Sequence, residues 1–474
     1  MKKSRVFQLF VLVSIFLFAL FFMTNDLGQA QSRGKGKPDK PGKPKPEPTP
    51  CNNNGICEWE EYDVSSRKPD NQPCPDCLPK IYAPLLIDQD YLQIASDGRT
   101  EGSYPYSDGK VFQFKCTGQN YIDEDIIGIY EDAWASEKID TYGYGLVSIG
   151  DADNDGDKEI IAVGSRVKSR DEKIIFIYET GSGGLPNWTS PYFGKGSKGS
   201  IKDCIIADVD NDGENEVTVI KGRHIEIFRI NYNSGDGSYS FNHVWTGPEY
   251  ESMIFGLDVG DADNDGYNEI VLAMFEVGAP IIWKKVGETW SSKTAELIPE
   301  EYWNPNLYHP FLGIDVVKVK DADNVLNEFG ERENEIIAGG NNNRLMIWKY
   351  NEVSGNYESV FISEDLLGFT QGVDAGDIDG DGSNEIAIAA SYDDDTLYIF
   401  KYIDGNYIIV NSILRDGSDI AIGFSLGDLD GDGKAEIVSA TQGITIYDLI
   451  GSDVFSGYLM KTYNCVFGSY LEID

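Results

Sequence analysis

Short acidic turns followed by apolar runs recur along the chain. The stretch GDADNDGDKEIIAVG (150–164) places aspartates at alternate positions, turns at a glycine and continues as an apolar run. Five related stretches follow, one of them a damaged copy, KDADNVLNEFGERENEIIAGG, that starts at Lys320. The first aspartates of the six copies are 51 to 60 residues apart, at Asp151, Asp208, Asp261, Asp321, Asp377 and Asp428. Such a period predicts an internal structural repeat.

A second pattern has the same period. Each acidic turn precedes a short apolar run with an aromatic residue near its end: KIIFIYE, HIEIFRI, PIIWKKV, RLMIWKY, TLYIFKY and ITIYDLI. A seventh such run, DIIGIYE, lies before the first acidic turn. Each repeat therefore predicts four strands: A before the turn, B directly after it, C with the aromatic residue, and a weaker D such as SFNHVWTG or NYIIVNSI. Short runs rich in β-branched and aromatic residues favour an all-β fold.

The two ends of the chain complement one another. The last segment, VFGSYLEID (466–474), resembles the strands A that lead into the acidic turns. We expect its partner strands to be KVFQFKC as strand B and DIIGIYE as strand C. Residues 81–474 are thus predicted to form a seven-bladed β-propeller of four-stranded blades, with the last blade shared between N- and C-terminal strands. Sharing a blade in this way removes exposed sheet edges.

This pairing also predicts a disulfide bond. The start of the C-terminal strand A would lie beside the end of strand B, which places Cys465 next to Cys116. A bond between them would oppose opening of the ring. Cys204, on another strand A, is expected to be a small buried apolar residue.

The N-terminal region has the pattern of an exported protein. Three basic residues precede an apolar stretch at 6–23, and small residues lead to Ala30, so residues 1–30 are predicted to be a signal peptide. An uncleaved membrane anchor is the alternative. We expect a secreted or cell-surface location, with membrane contact only through an uncleaved segment. The formal net charge is −40, which disfavours nucleic-acid partners.

A linker and a small cysteine-rich module follow. Residues 31–50 are rich in Lys, Pro and Gly and are predicted to be an extended spacer. Residues 51–80 are too few for a hydrophobic core of their own, so the module needs covalent or metal support. The candidates are two disulfides of open pairing, or one zinc ion, among Cys51, Cys57, Cys74 and Cys77. The stretch is similar to short cysteine-rich modules of prokaryotic surface proteins.

The acidic turns have the chemistry of calcium ligands. Several carboxylates in one turn do not all stay ionised without a cation, and alternating hard oxygens suit Ca²⁺ better than Mg²⁺. In the first copy the ligands would be the side chains at positions 1, 3, 5 and 9 and the carbonyl at position 7, namely Asp151, Asp153, Asp155, Glu159 and Asp157. An EF-hand would have its Glu at position 12 and continue as a helix. Position 12 here is Ala162, within an apolar β run.

On these residues, 81–474 resembles the FG-GAP (VCBS-type) repeats, which build the calcium-binding propeller of integrin α subunits and many prokaryotic surface proteins. The resemblance implies about five structural calcium sites. Side-chain ligands carry over to Asp208, Asp210, Asp212 and Glu216; Asp261, Asp263, Asp265 and Glu269; Asp377, Asp379, Asp381 and Glu385; and Asp428, Asp430, Asp432 and Glu436. The carbonyls at position 7 belong to Glu214, Tyr267, Ser383 and Lys434.

The chain departs from the family pattern in two respects. Position 9 is Glu where the family often has Asp, which changes its reach but not its chemistry. The fourth copy keeps Asp321, Asp323 and Glu335, but VLNEFGEREN replaces the Asp-Gly turn. We therefore expect this degenerate site not to hold calcium as the others do.

Family geometry would place the acidic loops on one face of the ring and ligands on the other. The longest connection on that second face, PEEYWNPNLYHPFLG, offers Tyr302, Trp303, Tyr308, His309 and Phe311. These aromatic residues could bind a sugar or a peptide, or could pack over the adjacent blade. We expect an extracellular protein or glycan ligand and a role in surface recognition or adhesion. The identity of the ligand and the oligomeric state stay open.

A calcium-dependent enzyme acting on polysaccharides, of the lyase type, is the alternative function. A lyase needs a positioned base. The histidines are His224 on a strand C, His243 on a strand D and His309 in the long connection, and no nucleophile elbow, phosphate-binding glycine loop or HExxH motif is present. Most clustered carboxylates lie in the acidic turns. We therefore expect a binding protein and not an enzyme.

Overall fold

The structure of the protein is a computed structural model. Contacts divide the chain into two units, Met1–Lys80 and Ile81–Asp474. The structure describes 93–99, 110–122, 125–135, 141–166, 169–179, 185–193, 201–274, 277–299, 302, 313–327, 329–391, 396–414, 423–440, 444–450, 457–463 and 467–473. The predicted signal peptide, linker and cysteine-rich module lie outside these residues. Among the helices in this described part, none is long and apolar enough to cross a membrane.

Strands make up the regular structure of this part of the chain. In order they are β1 (Gln93–Arg99), β2 (Lys110–Ile122), β3 (Asp125–Ala135), β4 (Thr141–Gly150), β5 (Glu159–Arg166), β6 (Ser169–Glu179), β7 (Trp188–Thr189), β8 (Ile201–Ala207), β9 (Glu216–Lys221), β10 (His224–Asn233), β11 (Ser238–Thr246), β12 (Ile254–Gly260), β13 (Glu269–Met274), β14 (Ile281–Val286), β15 (Thr289–Thr294), β16 (Ile314–Lys320), β17 (Glu335–Gly340), β18 (Met346–Asn351), β19 (Asn356–Ile362), β20 (Phe369–Gly376), β21 (Glu385–Ser391), β22 (Thr396–Ile403), β23 (Asn406–Leu414), β24 (Gly423–Gly427), β25 (Glu436–Ala440), β26 (Ile444–Ile450), β27 (Gly457–Tyr463) and β28 (Phe467–Ile473).

These strands form four-stranded antiparallel sheets, which are the blades of a β-propeller. Six blades each use four consecutive strands A to D: blade 1 (β4–β7), blade 2 (β8–β11), blade 3 (β12–β15), blade 4 (β16–β19), blade 5 (β20–β23) and blade 6 (β24–β27). One further sheet, which we call the terminal sheet, joins both ends of the described chain in the order β28-β1-β2-β3. The all-β propeller of four-stranded blades that the repeats predict is therefore confirmed.

The strands A form the inner contacts between blades. They contact one another in the order β4, β8, β12, β16, β20, β24 and β28, and β28 in turn contacts β4. The C-terminal strand thus lies between blade 6 and blade 1, as the resemblance of its sequence to a strand A predicts.

The internal order of the terminal sheet differs from the prediction. The strand paired with β28 is β1, QIASDGR, which the hydrophobic pattern missed because it contains a single large apolar residue. KVFQFKC therefore lies in the third strand and DIIGIYE in the fourth, not in the second and third. Cys116, on β2, is not on the neighbour of β28, so the strand pairing behind the predicted Cys116–Cys465 bond is wrong. Cys465 lies outside the described residues.

The hydrophobic core lies between neighbouring blades. Ile177 of blade 1, for example, shares a buried cluster with Phe228 of blade 2, and Val271 of blade 3 shares one with Trp348 of blade 4. Burying a side chain of this size stabilises the fold by about 1.5–3 kcal/mol. The predicted aromatic residue of strand C is fully buried in most blades, as Tyr178, Phe228, Trp348, Phe400 and Tyr447. Cys204 is also buried within such a cluster, as predicted.

Polar side chains on several strands A link each blade to the next. Asp203 accepts a hydrogen bond from the Leu257 N–H at 3.0 Å, and Asp258 accepts one from the Val319 N–H at 2.6 Å. Asp374 does the same for the Leu426 N–H at 2.9 Å. These bonds satisfy main-chain donors at inner strand edges that would otherwise lack a partner.

Candidate metal centres

The six acidic turns connect strands A and B, and we number them acidic loops 1 to 6. In loop 1 the Asp151 carboxylate accepts hydrogen bonds from the N–H groups of Asp155 and Gly156, at 3.1 and 3.2 Å. Gly156 has φ +97°, a left-handed conformation that favours glycine. Loops 2 and 3 repeat these two bonds from the carboxylates of Asp208 and Asp261. The carboxylate of the first aspartate therefore stabilises the backbone turn and also lines the candidate metal site.

The glutamate at position 9 is the first residue of strand B and has two roles. In loop 1, Glu159 Oε2 accepts a hydrogen bond from the Ala152 N–H at 2.9 Å, which leaves Oε1 directed into the loop. The equivalent glutamates make the same bond at 2.6–3.1 Å in the other loops, namely Glu216, Glu269, Glu335, Glu385 and Glu436. The longer side chain of Glu lets one carboxylate hold the start of its loop and still line the centre.

The loops bring carboxylates together as a metal site requires. In each of several groups, one oxygen from each of three acids lies within 4.8 Å of the other two: Asp151, Asp153 and Glu159; Asp208, Asp210 and Glu216; Asp261, Asp263 and Asp265; Asp321, Asp323 and Glu335; Asp377, Asp379 and Glu385. Each group could hold a metal ion. Loop 6 likewise contains buried Asp430 and Glu436. The side chains at position 7 are exposed at Asp157, Glu214 and Tyr267 and half-buried at Ser383 and Lys434, which suits a carbonyl role.

Burial makes these carboxylates difficult to keep charged. In loop 1, burial and the neighbouring Asp153 raise the pKa of Glu159 to about 9, and burial raises the pKa of Asp153 to about 6. Burial raises the pKa of Glu269 in loop 3 only to about 7, because Lys284 acts in the opposite direction. The loops therefore favour either protonation or a nearby positive charge.

The fit of a divalent cation is clearest in loop 1. Asp153 and Glu159 are both 0% exposed. Both carboxylate oxygens of Asp153 and the Oε1 atom of Glu159 lack a hydrogen-bond partner. Buried carboxylate oxygens of this kind are costly unless a cation or a donor satisfies them. The donor set consists of hard oxygens, the ligands that Ca²⁺ prefers.

In blades 2 to 5 a basic side chain from strand C enters the loop. Lys284 Nζ lies 2.9 Å from Asp263, 2.7 Å from Asp265 and 2.6 Å from Glu269. Lys401 contacts the equivalent three acids of loop 5 at 2.7–3.0 Å. Arg229 in loop 2 and Lys349 in loop 4 occupy the same place. The sequence pattern did not reveal these bases, because only the register between strands B and C brings them to the loop.

The fourth loop receives a second base from its insertion. Arg332, within VLNEFGEREN, contacts Asp321 at 3.2 Å and donates a hydrogen bond to the Gly382 carbonyl of loop 5. Lys349 contacts Asp323 at 2.9 Å and Glu335 at 2.8 Å. The insertion thus provides a positive charge where the other loops have the Asp-Gly turn.

Asparagines that the sequence analysis did not single out link neighbouring loops. Asn211, at position 4 of loop 2, has φ +61° and donates from Nδ2 to the Asn268 carbonyl of loop 3 at 3.1 Å. The Asn268 N–H donates to Asn211 Oδ1 at 2.7 Å, and Asn268 Nδ2 donates to the Asp208 carbonyl at 2.9 Å. We call this three-bond arrangement an asparagine link. It joins loops 1 to 5 in succession, also through Asn154–Asn215, Asn264–Asn334 and Asn324–Asn384.

The link has a signature in the sequence. Every loop with Asn at position 4 is followed by a loop with Asn just before its glutamate. Between loops 5 and 6 these asparagines are missing, because loop 5 has Gly380 at position 4 and loop 6 has Ala435 before its glutamate. Between these two loops, a single hydrogen bond from the Ala435 N–H to the Asp377 carbonyl replaces the link. The damaged fourth copy keeps both Asn324 and Asn334. Loops 1 to 5 therefore lie side by side on one face of the propeller.

The asparagine link predicts energetic coupling between loops 2 and 3. Asn211→Gly keeps the left-handed backbone, and Asn268→Ala places at this position the residue that loop 6 has. Each should cost about 1–2 kcal/mol of unfolding free energy by removing part-buried hydrogen bonds. Asn211→Gly removes two bonds of the link and Asn268→Ala removes the third. Either loss loosens the loop pairing on which the remaining bonds depend, so together they should cost about 1 kcal/mol less than the sum. Urea denaturation of the four proteins measures this coupling. Asn211→Gly combined with Asn334→Ala, from a different link, is the control and should be additive; equal coupling in both pairs would refute the link.

Of the predicted ligand residues, Tyr302 lies in the described part of the chain. It is half-buried against the core between blades 3 and 4, and the Arg344 guanidinium lies 5.4 Å from its ring centre. Trp303, Tyr308, His309 and Phe311 lie outside the described residues. His224 contacts Glu226 at 3.2 Å, and His243 contacts Thr246 at 2.8 Å. For Tyr302, the position is the packing alternative that the sequence left open.

A family comparison identifies the repeat. Residues 377–439, which contain acidic loops 5 and 6, match the model of the FG-GAP-like repeat. Residues 377–439 therefore carry an FG-GAP-like repeat. The resemblance to this repeat family that the acidic turns predict is therefore confirmed, and these residues lie in the β-propeller arrangement described above. No curated protein matches the sequence.

Solved structures show a similar fold. A candidate 6-phosphogluconolactonase from Bacteroides fragilis is 13% identical with a TM-score of 0.50, and the match covers 81% of this chain and 98% of the other. A second candidate 6-phosphogluconolactonase, from Bacteroides uniformis, is 14% identical with a TM-score of 0.50, over 81% of this chain and 100% of the other. At this level of identity the similarity concerns the fold alone.

Proposed function

We propose that the FG-GAP propeller is an exported recognition or adhesion module that binds calcium as a structural ion. It acts at the cell surface or outside the cell, and its partner is a protein or a glycan. The terminal sheet serves as a seventh blade, shared between the chain ends, that closes the ring. Calcium in the acidic loops stabilises the connection between strands A and B.

The buried carboxylates of the acidic loops are the observation that carries this proposal. Asp153 and Glu159 have buried oxygens with no hydrogen-bond donor, in a turn whose backbone is folded around Asp151. A calcium ion would satisfy these oxygens and remove their mutual repulsion. The N-terminal export pattern supports an extracellular location, where calcium is abundant and sites of modest affinity are filled.

The neighbouring positions of the acidic loops support separate roles for the two faces of the propeller, one structural and one for ligand binding. Asparagine links hold loops 1 to 5 together on one face, and their carboxylates are directed at one another or at bases. We infer that ligands contact the opposite face, formed by the D–A and B–C connections. Calcium then supports the scaffold and does not itself touch the ligand.

Arrays of glycans and extracellular proteins test the proposed role. The full chain, labelled and folded in calcium, should bind a restricted class of glycans or proteins. Pretreatment with EGTA should abolish the binding when the assay is run above the melting temperature of the calcium-free protein, because calcium acts only through the scaffold. A parallel assay for unsaturated uronate release from polysaccharides is the comparison for catalysis. Absence of binding on both arrays, or uronate release, would refute the recognition role.

A further inference from the structure

The acidic loops are of two kinds, and the difference lies in one position of strand C. This position directly follows the aromatic residue that recurs in strand C, and it pairs with the position-9 glutamate of strand B. Arg229 pairs with Glu216, and Lys401 pairs with Glu385. In blade 1 the same position is an acid, because Glu179 pairs with Glu159. In blade 6 it is Asp448, next to Tyr447, which pairs with Ile437.

In blades 2 to 5 the basic group occupies the centre of the loop. The Nζ atoms of Lys284 and Lys401 each lie within 3.0 Å of three carboxylates from positions 3, 5 and 9. Those are the oxygens that a divalent cation would share. A metal ion entering such a loop would have to displace the ammonium group and leave it without its partners, which lowers affinity.

Loop 1 has the opposite arrangement. Asp153 and Glu159 are fully buried, and three of their four oxygens lack a hydrogen-bond partner. Among the described residues, no basic side chain lies within ion-pair distance of either acid. Glu179 adds a further negative charge at the place where Lys284 and Lys401 bring a positive one. In loop 6 the strand C residue beside Glu436 is likewise an acid, the buried Asp448.

We propose that acidic loops 1 and 6 are the tight divalent-cation sites of this propeller, and that the strand C bases take the place of the ion in loops 2 to 5. This inference rests on the proposed calcium-binding function and divides it unequally among the blades. Glu179 and Asp448 are positioned to add ligands from strand C. The expected number of tight calcium ions is therefore two, and not the five that the repeated motif predicts.

The two sites have a particular location in the fold. Blades 1 and 6 are the blades that contact β28, the C-terminal strand of the terminal sheet. Loop 6 also lacks the asparagine link to loop 5, and loop 1 has Lys158 in place of the linking asparagine. Calcium thus binds beside the junction of the chain ends, where the links between loops are missing.

Native mass spectrometry of the full chain in calcium tests the assignment by counting bound ions. The wild-type protein should carry two tight calcium ions. Glu179→Lys, which gives loop 1 the base of loops 3 and 5, should leave one. Lys401→Gln, which removes the base of loop 5, should raise the number to three. Lys293→Gln, an exposed lysine outside the acidic loops, is the matched control and should leave two.

The outcomes separate this inference from the proposed function. Five tight calcium ions in the wild-type protein would overturn the inference and leave calcium binding intact. No bound calcium would overturn both. Unchanged counts in Glu179→Lys and Lys401→Gln would show that the strand C residue does not control occupancy. If Glu179→Lys does not fold, Lys401→Gln still tests the inference, because it removes a base from loop 5 without adding a charge to loop 1.

Discussion

Deleting residues 467–474, which contain β28, should lower the melting temperature by about 10 °C or more and cause aggregation. β28 pairs with β1 and contacts β24 and β4, so its loss removes the contact between blade 6 and blade 1 through this strand. It also exposes the edge of β1, whose free N–H and C=O groups can pair with another chain. Thermal unfolding by circular dichroism, with size-exclusion chromatography, measures both effects.

The control for this deletion is a chain that lacks Asp474 alone. This residue follows the last residue of β28, so the control keeps the whole strand and should melt within about 1–2 °C of the wild-type protein. If the longer deletion also melts there and stays monomeric, the terminal sheet does not close the ring.

Removing calcium should have the second largest effect. A ligand that binds only the folded state at 100 times its dissociation constant adds about 2.7 kcal/mol per site. Two such sites add about 5 kcal/mol, which for a domain of this size corresponds to a fall of roughly 5–10 °C in melting temperature with EGTA. Hydrogen exchange should increase first in blades 1 and 6, because their loops contain no strand C base.

Magnesium at the same concentration is the control for this experiment. With a formal net charge of −40, any divalent cation screens repulsion across the surface, and magnesium reports that general effect. Calcium should restore the full melting temperature and magnesium only part of it, because Mg²⁺ demands a tighter octahedral site. Equal melting temperatures in calcium, magnesium and EGTA would contradict structural calcium.

The features that could be predicted from sequence are those carried by local pattern. An acidic turn with glycine at position 6 and an apolar run after it determines strands A and B almost by itself. The aromatic residue of strand C was recognisable because it recurs at the blade period. The structure buries it, as Phe228 and Trp348 show. In contrast, β1 carries little apolar surface, so the pattern assigned its place to KVFQFKC.

The features that were missed depend on contacts between distant residues. Lys284 lies on β14, the second strand after loop 3. Only the register between β13 and β14 shows that it faces Glu269. Asn211 and Asn268 act across two blades, so each looks like an ordinary polar turn residue in isolation. Their covariation along the six copies was visible in the sequence and could have revealed the link. Trp303 and His309 lie outside the described residues, so their predicted role stays a prediction.

Anomalous diffraction from crystals of the protein grown in calcium would locate the bound ions and so decide which acidic loops hold them. Anomalous peaks are expected within acidic loops 1 and 6, the first of them beside Asp153 and Glu159. Lys284 and Lys401 are expected to remain in their loops. The absence of a peak from every acidic loop at saturating calcium would contradict the claim that these loops are cation sites.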